Sequence, residues 1–107
     1  MDVVELLEHA KDMTSQAYEL MVRKNHDYAG PGGHNPFRNF TQCESLGICP
    51  TERGILVRMT DKLSRLSTFA ETKDLKVADE SFDDTLLDLI NYSIILSAYV
   101  KSKRGDV

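Results

Sequence analysis

Apolar side chains in the first segment recur at Val3, Leu6, Leu7, Ala10, Met13, Ala17, Leu20 and Met21. That three-and-four spacing draws one face of a helix and leaves a strand no way to bury it. The segment opens with Asp2 and, three residues on, Glu5, the residue types of a capping box. The spacing predicts a helix of roughly five or six turns, ending near Arg23 to Asn25. HDYAGPGGHNP follows, with three glycines and two prolines, and reads as a loop over 26–35. Asn35-Pro36 has the chemistry of an N-cap followed by proline at the first helical position, so FRNFTQCESL reads as a short helix closed by Gly47.

Beyond Pro50, Thr51 caps a third helix in which Leu56, Met59, Leu63, Leu66 and Ala70 share the expected core face. ETKDLKVAD is a polar connection. A last helix starts near Asp79 or Ser81 and runs to about Lys103, leaving a tail over 103–107. No segment alternates with the period of a strand and none repeats. The fold class expected is all-α, a bundle of three long helices and one short helix in a single domain over 1–107.

Composition narrows the function classes. With 41% hydrophobic and 28% charged residues the chain is an ordinary globular one. Its net charge of −4 argues against binding a nucleic-acid polymer. The N-terminus lacks the basic leader and apolar stretch of a signal peptide, and IILSAYV is too short to span a bilayer. Cys43 and Cys49 are too few for a disulfide framework and read as reduced thiols. The expected setting is cytoplasmic, with no membrane partner.

The last helix raises the functional question. No Lys or Arg lies between Lys76 and Lys101, yet Glu80, Asp83, Asp84 and Asp88 stand in that stretch. At about 100° per residue, Glu80, Asp84, Asp88 and Asn91 share a sector roughly 80° wide, opposite Phe82, Leu86, Leu89 and Ser93. First-turn acids gain from the helix dipole, but Asp88 and Asn91 lie too deep for that. Like charges four apart repel unless something compensates them. A hard divalent cation takes carboxylate oxygens, and Mg²⁺ keeps phosphate oxygens as further ligands.

The preceding helix carries the complement: Arg58, Asp61, Lys62 and Arg65 in RMTDKLSR. These could pair with the acids in a purely structural network, although desolvation makes such a network a poor source of stability. Ridges of both signs lining one groove suit a metal–phosphate ligand. The glycine-rich loop adds Lys24, His26, Asp27, Tyr28, His34 and Asn35, and the short helix adds Phe37, Asn39 and Phe40. The Walker pattern is missing. Phe37 and Phe40 suit the core better than base stacking, with Phe37 kept among the ligand-binding candidates; Asn35 and Asn39 could read a base edge or satisfy the loop.

Together KNHDYA, HNPFRNF, RMTDKLSRL and DESFDDTLLDLINY resemble the nucleotide-modification-associated domain family of phages and bacteria, which is similar to MazG-like all-α NTP pyrophosphohydrolases. The resemblance covers about residues 24–96. It implies a homo-oligomer, dimer or tetramer, in which two helices hold Mg²⁺ and a nucleoside triphosphate is cut between its α and β phosphates. Glu80-Ser-Phe-Asp83 fits the second half of the MazG pattern, but the chain has no Glu-Glu-x-x-Glu, which moves the balance from metal-driven hydrolysis towards phosphate binding.

Three functions are therefore open. The first is an Mg²⁺-dependent pyrophosphohydrolase-like enzyme. In it Asp61, Glu80 and Asp84 would act in catalysis, and Glu80, Asp83, Asp84 and Asp88 would hold metal. Lys24, Arg58, Lys62 and Arg65 would take the phosphates, and Asp27, Tyr28, Asn35, Phe37, Asn39, Asn91 and Tyr92 the rest of the nucleotide. The second is a non-catalytic protein that sequesters a nucleotide, for instance a defence signal. The third is a helical assembly module whose charged ridges are interface salt bridges.

Overall fold

A computed structural model describes residues 1–72 and 82–105 of the chain. Four helices follow in order: α1 (Val3–Ala29), α2 (Arg38–Ser45), α3 (Thr51–Thr72) and α4 (Phe82–Arg104). The described residues form no strand, and the expected all-α arrangement of three long helices and one short one stands. Residues 73–81, which hold most of the polar connection, the expected start of the last helix and Glu80, lie outside the described residues, as do 106–107.

Both ends of α1 bear on the reading above. The Asp2 side chain accepts from the Glu5 N–H at 2.8 Å while the Glu5 carboxylate accepts from the Asp2 N–H at 2.9 Å, a complete capping box. At the other end α1 runs on through His26–Ala29 and stops at Gly30, whose N–H bonds the His26 carbonyl. The expected end near Asn25 is thus about a turn short. The helix breakers begin only at Gly30, and HDYA itself contains none.

The short helix also starts later than expected. Asn35 Oδ1 accepts from the Phe37 N–H at 2.9 Å, so this side chain closes a turn over Pro36 rather than capping a helix there. Regular helix begins at Arg38. Its far end fits the expectation, because Gly47 takes φ +75° just past the last turn.

α4 is the central element. α1 and α3 each pack along it, while α2 bridges α1 and α3 at one end. Among the described residues α1 and α3 come together chiefly through α4 and α2. Lys24 of α1 meets Asp88, and Ala17 meets Asn91, so α1 runs antiparallel to α4. Phe69 meets Phe82 and Glu52 meets Lys103, so α3 does too. The apolar core sits under α2, where Phe40, Ile55 and Ile95 are buried among Met21, Tyr28, Phe37, Met59, Tyr92 and Leu96.

The helix faces turned inward differ from those the apolar spacing picks out. In α3 the buried positions are Thr51, Ile55, Lys62 and Phe69, while Leu56, Leu63 and Ala70 of the expected core face are exposed. In α4 Thr85, Leu87, Asp88, Asn91 and Ile95 are buried, and Phe82 and Ser93 are not. In α1 Val3, Leu6, Leu7 and Ala10 face outward, and of the expected stripe only Ala17 is fully covered.

Candidate functional site

The polar half of α4 points into the protomer, so its groups must be satisfied there or cost free energy. Asp88 is buried, and both its oxygens are taken. Lys62 Nζ lies 2.9 Å from Oδ2, and Lys24 Nζ lies 3.3 Å from Oδ1. The two lysines differ in setting: the Lys62 side chain is 10% exposed, that of Lys24 39%. Lys62 is therefore a buried half of an ion pair, while Lys24 reaches over its edge from water.

One turn further along the seam, Asn91 donates from Nδ2 to the Ala17 carbonyl at 3.0 Å and ties α4 to α1. Ala17 has to be small for the backbones to come that close. The Asn91 Oδ1 and the Thr85 hydroxyl are buried without a hydrogen-bond partner among the described residues.

Arg58 brings a third cation to the same neighbourhood. Its Nη2 donates to Asn39 Oδ1 at 2.7 Å and to the Asn39 carbonyl at 3.4 Å, and its guanidinium lies 4.5 Å from the Phe40 ring centroid. Phe40 also packs against Tyr28 and Tyr92, at 4.8 and 6.3 Å between centroids. Stacking and hydrogen bonding fix Arg58, which in turn fixes the Asn39 amide with its oxygen turned inward.

Tyr28 joins these groups. Burial pushes its phenol up to about 12, and the neighbouring Tyr92 and Asp88 add to the rise while Arg58 opposes it. At neutral pH it is a neutral donor. It also lines a small open cavity of about 210 Å³ with Asp27, Gly30, Pro31, Arg38, Asn39 and Gln42. Ligand pockets for whole small molecules run from about 300 Å³ upward, so this one has room for part of such a molecule only. Arg38 and Gln42 are the lining residues the sequence reading passed over. Their neighbour Asn39 was the signal, since a cavity beside it needs the helix's other polar positions.

The remaining expected residues lie around this centre. Asp61 and Arg65 pair along α3 at 3.4 Å, both well exposed. Asp83 and Asp84 are exposed in the first turn of α4. Phe37 packs edge-on against Tyr99, as a core residue does, and Asn35 is occupied with its turn.

The expected geometry of two ridges facing across an open cleft needs correction at its middle. At Asp88 and Lys62 the ridges touch in a closed contact, because α3 and α4 turn these polar positions toward each other. Nor do the described acids build a metal cage: no group of three or more His, Cys, Asp or Glu side chains converges among the described residues. Glu80 is outside them.

Residues 52–98 match the family described as nucleotide modification associated domain 1. The resemblance to that family expected from RMTDKLSRL and DESFDDTLLDLINY is borne out over that stretch; KNHDYA and HNPFRNF precede it, and the match does not extend to the expected likeness to MazG-like enzymes. It spans nearly all of α3 and most of α4, and so includes Arg58, Lys62, Asp88, Asn91 and Tyr92; Lys24, Tyr28 and Asn39 precede it. No curated protein and no solved structure matches the chain. No helix among the described residues is long and apolar enough to cross a membrane.

Proposed function

We propose that the protein binds a nucleotide through its phosphates at the Lys24–Asp88–Lys62 cluster. The observation that carries this reading is the placement of Lys24, whose partly exposed ammonium lies 3.3 Å from Asp88 at the rim of the buried Lys62–Asp88 pair, with Arg58 held near by. Such cations offer charge-assisted donors to an anionic guest. Lys24, partly exposed and only loosely bonded at 3.3 Å, can swing to such a guest while Lys62 holds Asp88. Base or sugar would lie toward Tyr28, Asn39 and the cavity beside them.

Mg²⁺ would enter on the phosphates, since that ion needs only one or two carboxylates when phosphate oxygens complete its shell. Asp83 and Asp84 stand about a turn from Asp88 and are the described acids placed to meet it, with Asp61 on the facing helix. Cleavage between the α and β phosphates would make the protein a pyrophosphohydrolase-like enzyme. Sequestration of the intact nucleotide is the second reading, and the lysine-covered Asp88 favours it, because a carboxylate so engaged does not serve a metal. In either case a second copy of the chain would cover the exposed apolar faces of α1 and α3.

The test is calorimetry of the pure protein against ribo- and deoxyribonucleotides and cyclic dinucleotides, with and without Mg²⁺, followed by chromatography of the ligand. Binding heat is expected with the wild-type protein, and Lys24→Ala should weaken it about tenfold or more, roughly 1.4 kcal/mol. Intact recovered ligand selects sequestration; pyrophosphate selects the enzyme. No heat with any nucleotide at millimolar concentration rejects the reading.

A further inference from the structure

We propose that Cys43 and Cys49 form an oxidative modification site, at which a hydroperoxide converts the two thiols into an intrachain disulfide fastening the end of α2 to the start of α3. The pair arises from the way α2 stops. With Gly47 at φ +75°, the Ile48 N–H returns to the Cys43 carbonyl at 2.8 Å, the wrap-around bond of a Schellman ending. The next N–H, that of Cys49, reaches the same carbonyl at 3.3 Å. Residue 49 is thereby brought back beside residue 43, as a bridge spanning Cα atoms about 4.4–6.8 Å apart requires.

The side chains meet as well. A Cβ placed on Gly54, in the first turn of α3, would stand 2.6 Å from Cys43 Sγ and 3.8 Å from Cys49 Sγ. Both sulfurs therefore crowd the same backbone position, and the Cys43 sulfur fills the room that a side chain there would need. Desolvation and a hydrogen bond with Cys43 raise the Cys49 thiol above its ordinary value, which agrees with direct thiol contact. Both cysteines are free and only half buried, at a corner where Leu46 and Ile48 are well exposed, so a small oxidant can reach them. Two core-filling cysteines would be buried and would not need a glycine opposite.

The chemistry balances as follows. One thiolate attacks the peroxide, the O–O bond breaks, an alcohol (water, for hydrogen peroxide) leaves, and that sulfur becomes a sulfenic acid. The second thiol attacks this sulfur; the S–S bond forms and water departs with the thiol proton. Two electrons pass from the sulfurs to the peroxide. The bridge stiffens the helix that carries Asn39 and Phe40.

The reduced full-length protein is treated with hydrogen peroxide, digested with trypsin and weighed. The peptide 39–53, NFTQCESLGICPTER, holds both cysteines. Its mass is expected to fall by two hydrogens and to return on reduction. Cys43→Ser and Cys49→Ser should show no loss of two hydrogens, their single thiol ending as oxygen adducts. Gly54→Ala, which favours the helix but pushes the Cys43 sulfur aside, should slow bridging several-fold without unfolding the chain. Oxygen adducts or chain-to-chain cross-links in the wild-type protein, or thiols that survive conditions that oxidise a free thiol, overturn the proposal. So does bridging in Gly54→Ala at the wild-type rate.

Discussion

Asp88 is the residue on which the interior depends. Removing its charge breaks the buried pair with Lys62 at 2.9 Å, and breaking a buried ion pair by deleting one partner costs several kcal/mol. Asp88→Ala is expected to lower the unfolding free energy by about 2–4 kcal/mol, read from the midpoint of urea denaturation. The two lysines should separate in the same experiment. Lys62→Ala should cost clearly more stability than Lys24→Ala, because the exposed Lys24 pair is screened; equal losses would contradict the burial difference. Tyr28 gives a pH signature. Its folded phenol sits near 12 against an ordinary 10, so the folded state holds its proton longer than the unfolded chain. The stability this contributes is full below about pH 10 and drains away between 10 and 12. A tyrosinate absorbance titration should show one phenol lagging the others, and Tyr28→Phe should remove the lag. Sequence reading placed Lys62 and Asp88 on facing ridges and brought Lys24 and Tyr28 to them from the loop. It could not see that Lys62 and Asp88 close on each other, because charge pattern carries no depth.

At the scale of the element, the existence of each helix was legible and its rotation was not. In α1 the Asp2/Glu5 box and the apolar spacing suffice to set a start and a length. Asp2→Ala should loosen the first turns by about 1 kcal/mol, visible as faster amide exchange at residues 3–8 with the rest of the helix unchanged. In α3 Ile55, Lys62 and Phe69 stand seven apart and face α4, whereas Leu56 and Leu63, one residue on, face away. An apolar stripe marks a surface that avoids water, and it does not say which surface covers it. Here the best apolar stripe of α3 is not the one its own chain buries. The same holds in α4, where Asp88 and Asn91, read as part of a cleft wall, prove to lie in the seam with α1 and α3. The late start of α2 has a different cause: Asn35 and Pro36 suit a turn as well as a helix start, and only the tertiary contacts of Phe37 decide between them.

The molecule as a whole has too much surface for its mass. Its accessible area is 7670 Å², where a folded monomer of 12.1 kDa exposes about 6,000 Å². Its radius of gyration is 15.8 Å, against about 13 Å for a compact chain of this length. α2 covers only part of the long helices, and a stable helical domain needs two layers. The uncovered apolar surface includes Val3, Leu6 and Leu7 of α1, Leu56 and Leu63 of α3 and Ile94 of α4, each at least 48% exposed. A standard interface hides about 800 Å² per partner, so a surplus near twice that suits an obligate contact with a second copy of the chain. Sedimentation equilibrium should therefore give a mass that is a multiple of the protomer's across the micromolar range. Leu63→Lys places a charge in that face without touching the inward side of α3. It should yield a smaller species that keeps most of its helical signal but melts at a lower temperature. A wild-type protein that sediments as a monomer at high concentration would leave the apolar faces without a second copy to cover them. The Lys24–Asp88–Lys62 cluster, held within one chain, would stand regardless.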